Sequence, residues 1–576
     1  MAWYDEAVFY HIYPLGLLGA PRENKYDGVT HRLKELNPWI DHIRELGCNA
    51  LYIGPLFESV GHGYETTDYR KLDSRLGDNK DLKQFVKKCH DKGIRVILDG
   101  VFNHTGRDFF AFKDIKENRE NSRYKDWYCN VNFWGNNEYN DGFSYDNWGG
   151  YNLLVKLNQR NPEVKDYICD TIRFWVSEFD IDGLRLDAAD VLDFDFMKTL
   201  RSVANEVKPE FWLMGEVIHG DYTRWVNEGT LHSVTNYVMH KALYSGHNDH
   251  NYFEIAHTQR RLDGMGGSGA GGFKLYNFVD NHDVERIYTK LSNKAHFTPV
   301  HILLYTLPGI PSVYYGSEFA IEGRKEKHSD VSLRPALDIR DYKDAVKNNP
   351  ATALIAALGK VRRENPELAY GDYKELHLQN KQYAFSRSSN GRSVVVTVNN
   401  DDSDCTLTLP AGDFAEYMGA LSGDRVSVEY GNIQVCVKAN SGEIWIPVNK
   451  GEKKKAAGAP KIVKEAGKIS GKLSSKDNID EKLKESSEVK SAAGETKGTD
   501  KVKSAPEISD AASKTSPKAG DTSLGKSYED GVIAGLQEAI LAIMEKNGNV
   551  TDQMRRDVYN NTHHDSLVNW VKSFIR

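Results

Sequence analysis

At 576 residues the chain is too long for one hydrophobic core and predicts two to four structural units at the usual domain size of about 100–200 residues. Acids outnumber bases, 82 to 75, for a formal charge of −7, so there is no overall basic field to condense on phosphate backbones, and nucleic acid is excluded as an expected partner. The six cysteines follow no CxxC spacing, the amino terminus MAWYDEAVFYHIYP lacks the pattern of a secretory leader, and no apolar run reaches membrane-spanning length; a soluble, cytoplasmic protein without a membrane partner is expected.

Up to about residue 350, short apolar runs alternate with amphipathic stretches, the mark of repeated β–α units around a parallel sheet. Candidate strands fall at 8–13, 50–53, 95–98, 183–186, 211–214, 231–235, 275–278 and 312–315. Eight of them predict a closed (β/α)8 TIM barrel. The segment 81–92 typifies the helices between them: Leu82, Phe85, Val86 and Cys89 recur at helical spacing before Gly93. A doubly wound open sheet is the alternative. Against it, no GxGxxG follows the first strand, and acids stand at the carboxyl ends of several later ones.

The interval 105–158, long, aromatic and rich in Asn and Gly, breaks this rhythm and predicts an inserted subdomain after strand 3, leaving 1–104 and 159–360 to the barrel. Runs at 382–387, 393–399 and 442–447, with turn residues between, predict a C-terminal antiparallel β-sandwich over 366–449. From 450 to 526 there is no Phe, Trp or Tyr while Lys, Glu, Ser, Ala and Gly dominate, which predicts a disordered linker. Ser527 as an N-cap, then Val532, Leu536, Ile540 and Ile543 on one face, predict a small helical tail over 527–576. So short a stretch makes a marginal core alone, and a protein partner or self-association through the tail is expected.

In GLRLDAAD (183–190), strand alternation puts Arg185 and Asp187 on one face and Leu184 and Leu186 on the other. In a barrel that face points inward, and an Asp at a strand's carboxyl end beside an Arg that keeps it ionised suits a carboxylate nucleophile; a structural ion pair would look the same. In LMGEVI (213–218), Glu216 leaves an apolar strand, where partial desolvation favours the protonated form that a general acid needs. A Glu capping the next helix is the other reading. FVDNHD (278–283) adds His282 and Asp283, DGVFNH (99–104) ends the third strand with His104, and YETTDY (64–69) puts Tyr64 in the loop after the second. Each match is weak alone. Together, acids and imidazoles at the ends of strands three, four, five and seven converge on one barrel mouth, where two carboxyls about 5–5.5 Å apart would run a double displacement across a sugar.

With DGVFNH, GLRLDAAD, GEV (215–217) and FVDNHD in this order, the chain over about residues 3–449 resembles the alpha-amylase family of glycoside hydrolases, with its barrel, inserted B domain and C-terminal β domain. The resemblance implies Asp187 as nucleophile, Glu216 as acid/base and Asp283 as stabiliser of the distorted sugar and its oxocarbenium-like transition state. It gives His104, Arg185 and His282 to contacts around the central sugar, Tyr64 to stacking, and Asp330 with Arg334 to donor-side sugars. LVKLN (154–158) and YKDWY (124–128) are similar to the neopullulanase and cyclomaltodextrinase group; Leu154-Val155 for Met-Pro, Asp190-Val191 for Asn-Glu and the lack of that group's amino-terminal carbohydrate-binding domain depart from it. The activity implied by this resemblance is that of a retaining hydrolase cleaving α-1,4 bonds of α-glucans such as maltodextrins and maltooligosaccharides. A glucan transglycosylase using the same intermediate and a non-catalytic sugar-binding scaffold are the alternatives. No cofactor is required by this chemistry. Asn103 matches a position that ligates Ca2+ in some members, but such a site needs six to eight oxygens, and the metal is left open. Trp127, Phe133, Trp134, Tyr145, Trp148 and Tyr151 are sugar platforms or the insertion's own core, and His11, His62 and His219 are expected to be hydrogen-bonded structural histidines.

Overall fold

Eight short runs, buried on both faces, build the central sheet: β1 (Phe9–Ile12), β2 (Ala50–Ile53), β3 (Arg95–Gly100), β4 (Gly183–Leu186), β5 (Trp212–Gly215), β6 (Ser233–Val234), β7 (Tyr276–Asn277) and β8 (Ile310–Tyr314). In the computed structural model, which describes residues 2–327, 329–448 and 540, only Arg95 of these strands is exposed. That is why they read as continuous apolar runs, as parallel strands covered by helices do. All pair in parallel, in the order β6-β5-β4-β3-β2-β1-β8-β7. A parallel bridge between Thr235 and Tyr276 joins the two edges, so the ring closes and the open-sheet alternative falls.

Several strands differ in length from expectation. β3 runs on to Gly100 and so takes Asp99 into the ladder. β6 and β7 have two residues each, because Leu231, Leu275 and Phe278 are buried in the turns that flank them without joining the ladder.

The outer layer consists of α1 (Asn37–Glu45), α2 (Asn79–Asp91), α3 (Pro162–Phe179), α4 (Phe194–Val207), α5 (Tyr237–Asn248), α6 (Tyr252–Gly266), α7 (Phe297–Thr306) and α8 (Pro350–Glu364). α2 shows how the sequence sets a helix. The Asp78 carboxylate accepts the N–H groups of Lys80 and Asp81, Asp81 answers in a capping box, Leu82, Phe85, Val86 and Cys89 bury the inner face, and Gly93 at φ +71° ends it. None of the described helices is long and apolar enough to cross a membrane.

Inside the ring the period of two produces layers. Phe9, Ala50, Ile97, Trp212, Tyr276 and Ile310 form an apolar plug, with Phe9 stacked on Trp212 at 5.1 Å. Two residues further along the strands stand His11, Tyr52, Asp99 and Arg185, all buried. The barrel is apolar below and ionisable above.

The insertion is a three-stranded antiparallel sheet of His104–Gly106, Tyr151–Lys156 and Asn147–Trp148 beside the helix Phe110–Asn118. Phe112 packs edge-on against Tyr128 and Tyr145. Trp127 and Tyr145 are thus buried core residues and not sugar platforms, whereas Trp134 and Tyr151 are exposed.

Beyond the barrel, β9 (Asp372–Leu378), β10 (Gln382–Ser389), β11 (Arg392–Asn399), β12 (Cys405–Pro410), β13 (Glu416–Gly419), β14 (Arg425–Ser427), β15 (Asn432–Val437) and β16 (Ser441–Val448) form two antiparallel sheets, β9-β10-β11-β16-β13-β14 and β12-β15. A separate core of Leu407, Leu409, Ile433, Val435 and Trp445 lies between them, the expected sandwich. The chain divides into two units, 1–477 and 478–576, and all of the above lies in the first. The linker expected at 450–526 and the tail at 527–576, with their partner surface, lie outside the described residues except for Ile540.

Where α8 crosses the end of α1, Gly359 faces Gly47, and a Cβ on Gly359 would lie 2.0 Å from the Leu46 carbonyl oxygen. Gly359→Ala is expected to cost about 1–3 kcal/mol by overpacking. Thermal unfolding followed by circular dichroism measures this, and an unchanged Tm would contradict the close approach.

Candidate active site

Arg185, inward on β4 and 3% exposed, is the hub of the upper layer. Its Nη1 donates to Asp99 Oδ1 and to Asp187 Oδ1, each at 2.9 Å, and its Nη2 lies 2.8 Å from Glu216 Oε2. The Tyr52 hydroxyl donates to the other Asp99 oxygen at 2.9 Å. Asp99 fits there because residue 54 is glycine: a Cβ on Gly54 would sit 2.4 Å from the Asp99 Cβ. Glu216 Oε2 also accepts the Ala188 N–H at 3.0 Å, and Ala188 adopts a left-handed φ of 46°, strain of the kind found at functional sites. Glu216 Oε1 faces the Tyr237 hydroxyl at 3.5 Å, and Asn281 Nδ2 donates to that hydroxyl at 3.2 Å.

Across the opening stands Asp283, past the end of β7. Its Oδ1 accepts from Arg334 Nη2 at 2.8 Å and its Oδ2 lies 3.0 Å from His282 Nε2. Arg334 also donates from Nε to the His282 carbonyl and from Nη2 to Asp330, each at 3.0 Å. The His282 ring lies nearly parallel to those of Tyr13 and Tyr64, 5.8 Å from each, and its Nε2 hydrogen-bonds the Tyr64 hydroxyl. His104 Nε2 donates to the Tyr64 carbonyl at 3.1 Å.

These residues surround one pocket of about 280 Å³. Tyr64, His104, Asp187, Glu216, Asp283, Asp330 and Arg334 line it, and the buried Arg185 and His282 hydrogen-bond to that lining. The chain thus gathers all nine candidates from six loops and strand ends. It adds Trp148 and Leu154 from the insertion, Ile218, Asp190 and His62. Asp190, Ile218 and Leu154 stand in GLRLDAAD, LMGEVI and LVKLN, whereas no motif marks Trp148 or His62, and Tyr237 on α5 carries no signal that separates it from any helical tyrosine. Asp99 had one, as the first letter of DGVFNH. Of the three histidines expected to be structural, His11 stacks on Tyr52 at 4.2 Å and leaves Nε2 without a hydrogen-bond partner, His62 pairs with Glu65 at 3.1 Å on the pocket wall, and His219 is exposed.

The acids divide electrostatically. Burial pushes the Asp187 carboxyl well above the ordinary range; Arg185 opposes this, while Glu216 and Asp99 add to it. Asp283 goes the other way: burial works against the anion, but His282, Arg334 and Arg185 hold it below the usual carboxylate range. Burial brings His104 down to about 3, leaving a neutral imidazole that donates. Desolvation was expected to single out Glu216. It falls on Asp187 instead, and Glu216 receives two N–H donors. One guanidinium thus faces three carboxyls.

Asn103 Nδ2 bonds His104 Nδ1 at 3.1 Å and its Oδ1 has no hydrogen-bond partner; among the described residues, the one group of three His, Cys, Asp or Glu side chains spaced to hold a metal ion is His31, Asp78 and Asp81, of which Asp78 and Asp81 cap α2 and Asp81 binds Lys34.

A closed barrel with three acids at its mouth and a β-sandwich behind it defines a carbohydrate-cleaving class. The family model described as the alpha amylase catalytic domain matches residues 26–353, and the alpha-amylase C-terminal domain model matches 371–445. The chain belongs to the alpha-amylase family of glycoside hydrolases. Within it, the chain is similar to proteins named cyclomaltodextrinase and neopullulanase. It is 31% identical over 424 residues to a cyclomaltodextrinase of Thermoanaerobacter pseudethanolicus, covering 69% of this chain and 71% of that protein. It is 30% identical over 471 residues to neopullulanase 2 of Thermoactinomyces vulgaris, covering 77% and 78%. A solved cyclomaltodextrinase structure superposes with a TM-score of 0.68 at 26% identity, over 77% of this chain and 78% of that one.

Because Asp99 raises the Asp187 carboxyl and draws on Arg185, Asp99→Asn should lower the pKa of Asp187. The group needed as an anion is raised, so activity is lost as pH falls through its folded value; the variant's acid limb of kcat/KM is expected at lower pH than wild type. A limb that stays put or moves up would break the link between these carboxyls.

Proposed function

We propose that the protein hydrolyses α-1,4 bonds of maltodextrins and maltooligosaccharides with retention of configuration, through a covalent glycosyl-enzyme intermediate. The observation that carries this reading is that Asp187 and Glu216 share the Arg185 guanidinium at the pocket floor. That closeness suits the roughly 5–5.5 Å spacing of a nucleophile and an acid/base better than the roughly 6.5–9.5 Å of an inverting pair. Glu216 gives its proton to the glycosidic oxygen as an Asp187 oxygen attacks the anomeric carbon. The bond to the leaving sugar breaks and an ester forms. Water, deprotonated by Glu216, then opens the ester and returns both residues to their starting states. Arg185, bonded to both carboxyls, lets the charge settle on either. Asp283, kept anionic by Arg334 and His282, faces the oxocarbenium-like charge. The relatives named cyclomaltodextrinase and neopullulanase support an α-glucan substrate. An intracellular setting is supported by a Bacillus subtilis relative named intracellular maltogenic amylase, 31% identical over 291 residues, and by the buried free thiols of Cys48 and Cys89.

Transfer to a sugar acceptor is the second reading. Ile218, 39% exposed on the pocket wall two residues past Glu216, offers an apolar surface that a second sugar covers better than water does.

Glu216→Gln should lower kcat on maltoheptaose by about 10²–10⁴-fold, and Asp187→Asn by at least as much, with the circular dichroism spectrum kept. Newly released reducing ends should be α by NMR; β products would rule out retention. Asp187→Asn should also raise Tm. A carboxyl whose folded pKa is raised costs stability at pH values above that pKa and little below its unfolded one, so the gain should appear at neutral pH and vanish in acid.

A further inference from the structure

Trp134, in the insertion, is 98% exposed, so its ring has almost no packing, and its backbone N–H is pinned to Asn132 Oδ1 at 3.0 Å. It borders a groove. Two adjoining hollows of about 650 and 410 Å³ share Asn130, Val131, Phe133 and Asp146, each within the roughly 300–1,000 Å³ of ligand sites. The rim is made of amides, a serine hydroxyl (Ser144) and carboxylates around aromatic faces. Glu120 and Asp146 disfavour phosphates and carboxylates, while amide and carboxylate groups suit a neutral ligand dense in hydroxyls, and a flat ring suits the C–H face of a pyranose. The groove is elongated, which suits a chain more than a single sugar. Asp146 walls it, and Trp148, two residues on and about 7 Å along extended backbone, walls the catalytic pocket.

We propose that this groove is a second α-glucan binding site, with Trp134 as its stacking platform, which holds long chains beside the catalytic pocket and takes no part in bond cleavage. The proposal rests on the α-glucan reading of the active site and deepens it.

The test is affinity electrophoresis of the full chain through gels containing soluble amylopectin, in an Asp187→Asn background so that the polymer is not consumed. Adding Trp134→Ala should weaken retardation about five- to tenfold, and Trp134→Phe should restore most of it. In the active enzyme, Trp134→Ala should raise KM for amylopectin and leave kcat/KM for maltotriose within about twofold of wild type. Equal retardation with and without Trp134 would overturn the second site while maltotriose turnover still upheld the proposed activity. A wild type without turnover on either substrate would instead overturn the activity. Sedimentation covers the remaining occupant: a wild-type dimer that Trp134→Ala turns into monomers would make this face a contact between two copies of the chain, and the proposal would fall.

Discussion

One buried guanidinium holds the upper barrel together. Arg185 faces Asp99, Asp187 and Glu216, side chains from the ends of three neighbouring strands, and removing it would leave three carboxyls out of water with no counter-charge. Much of the local design serves that contact. Gly54 clears space for Asp99, Tyr52 fixes its second oxygen, and Ala188 takes up a left-handed backbone so that its N–H reaches Glu216. Ordering of the barrel and arrangement of the acids are therefore one network, read from two sides.

The two halves of the site sit at opposite electrostatic extremes. The Asp187–Glu216 half is short of positive charge, while Asp283 has both Arg334 and His282 beside it. Stability comes from elsewhere, chiefly the aromatic plug under the polar layer and the helix-to-sheet core around it. A site that strains its host in this way is the usual trade between activity and stability.

Most of the barrel was legible because parallel strands covered on both faces leave unbroken apolar runs, and because a period of two puts Arg185 and Asp187 on one inner face. β6 and β7 were legible in place but not in length, since Leu231 and Leu275 are buried outside the ladder, which composition does not separate from burial within it. Six of the nine site candidates came from the four ordered motifs, and Tyr64, Asp330 and Arg334 from the resemblance. Trp148, Leu154 and Tyr237 sit far from those motifs in sequence and meet them only when the chain folds. Aromatics in the insertion were ambiguous for another reason: the same ring fills a core or meets a sugar, and only its exposure, 5% for Trp127 against 98% for Trp134, tells which.

The ring's thinnest joint is the one between β6 and β7, where the Thr235–Tyr276 bridge stands in place of a ladder. Every other neighbouring pair shares at least two registered residues. This seam separates the strands bearing Asp99, Asp187 and Glu216 from the segment bearing Asp283 and Arg334. Closure of the ring at this one bridge is what sets Asp283 and Arg334 across the opening from the carboxyls gathered on Arg185.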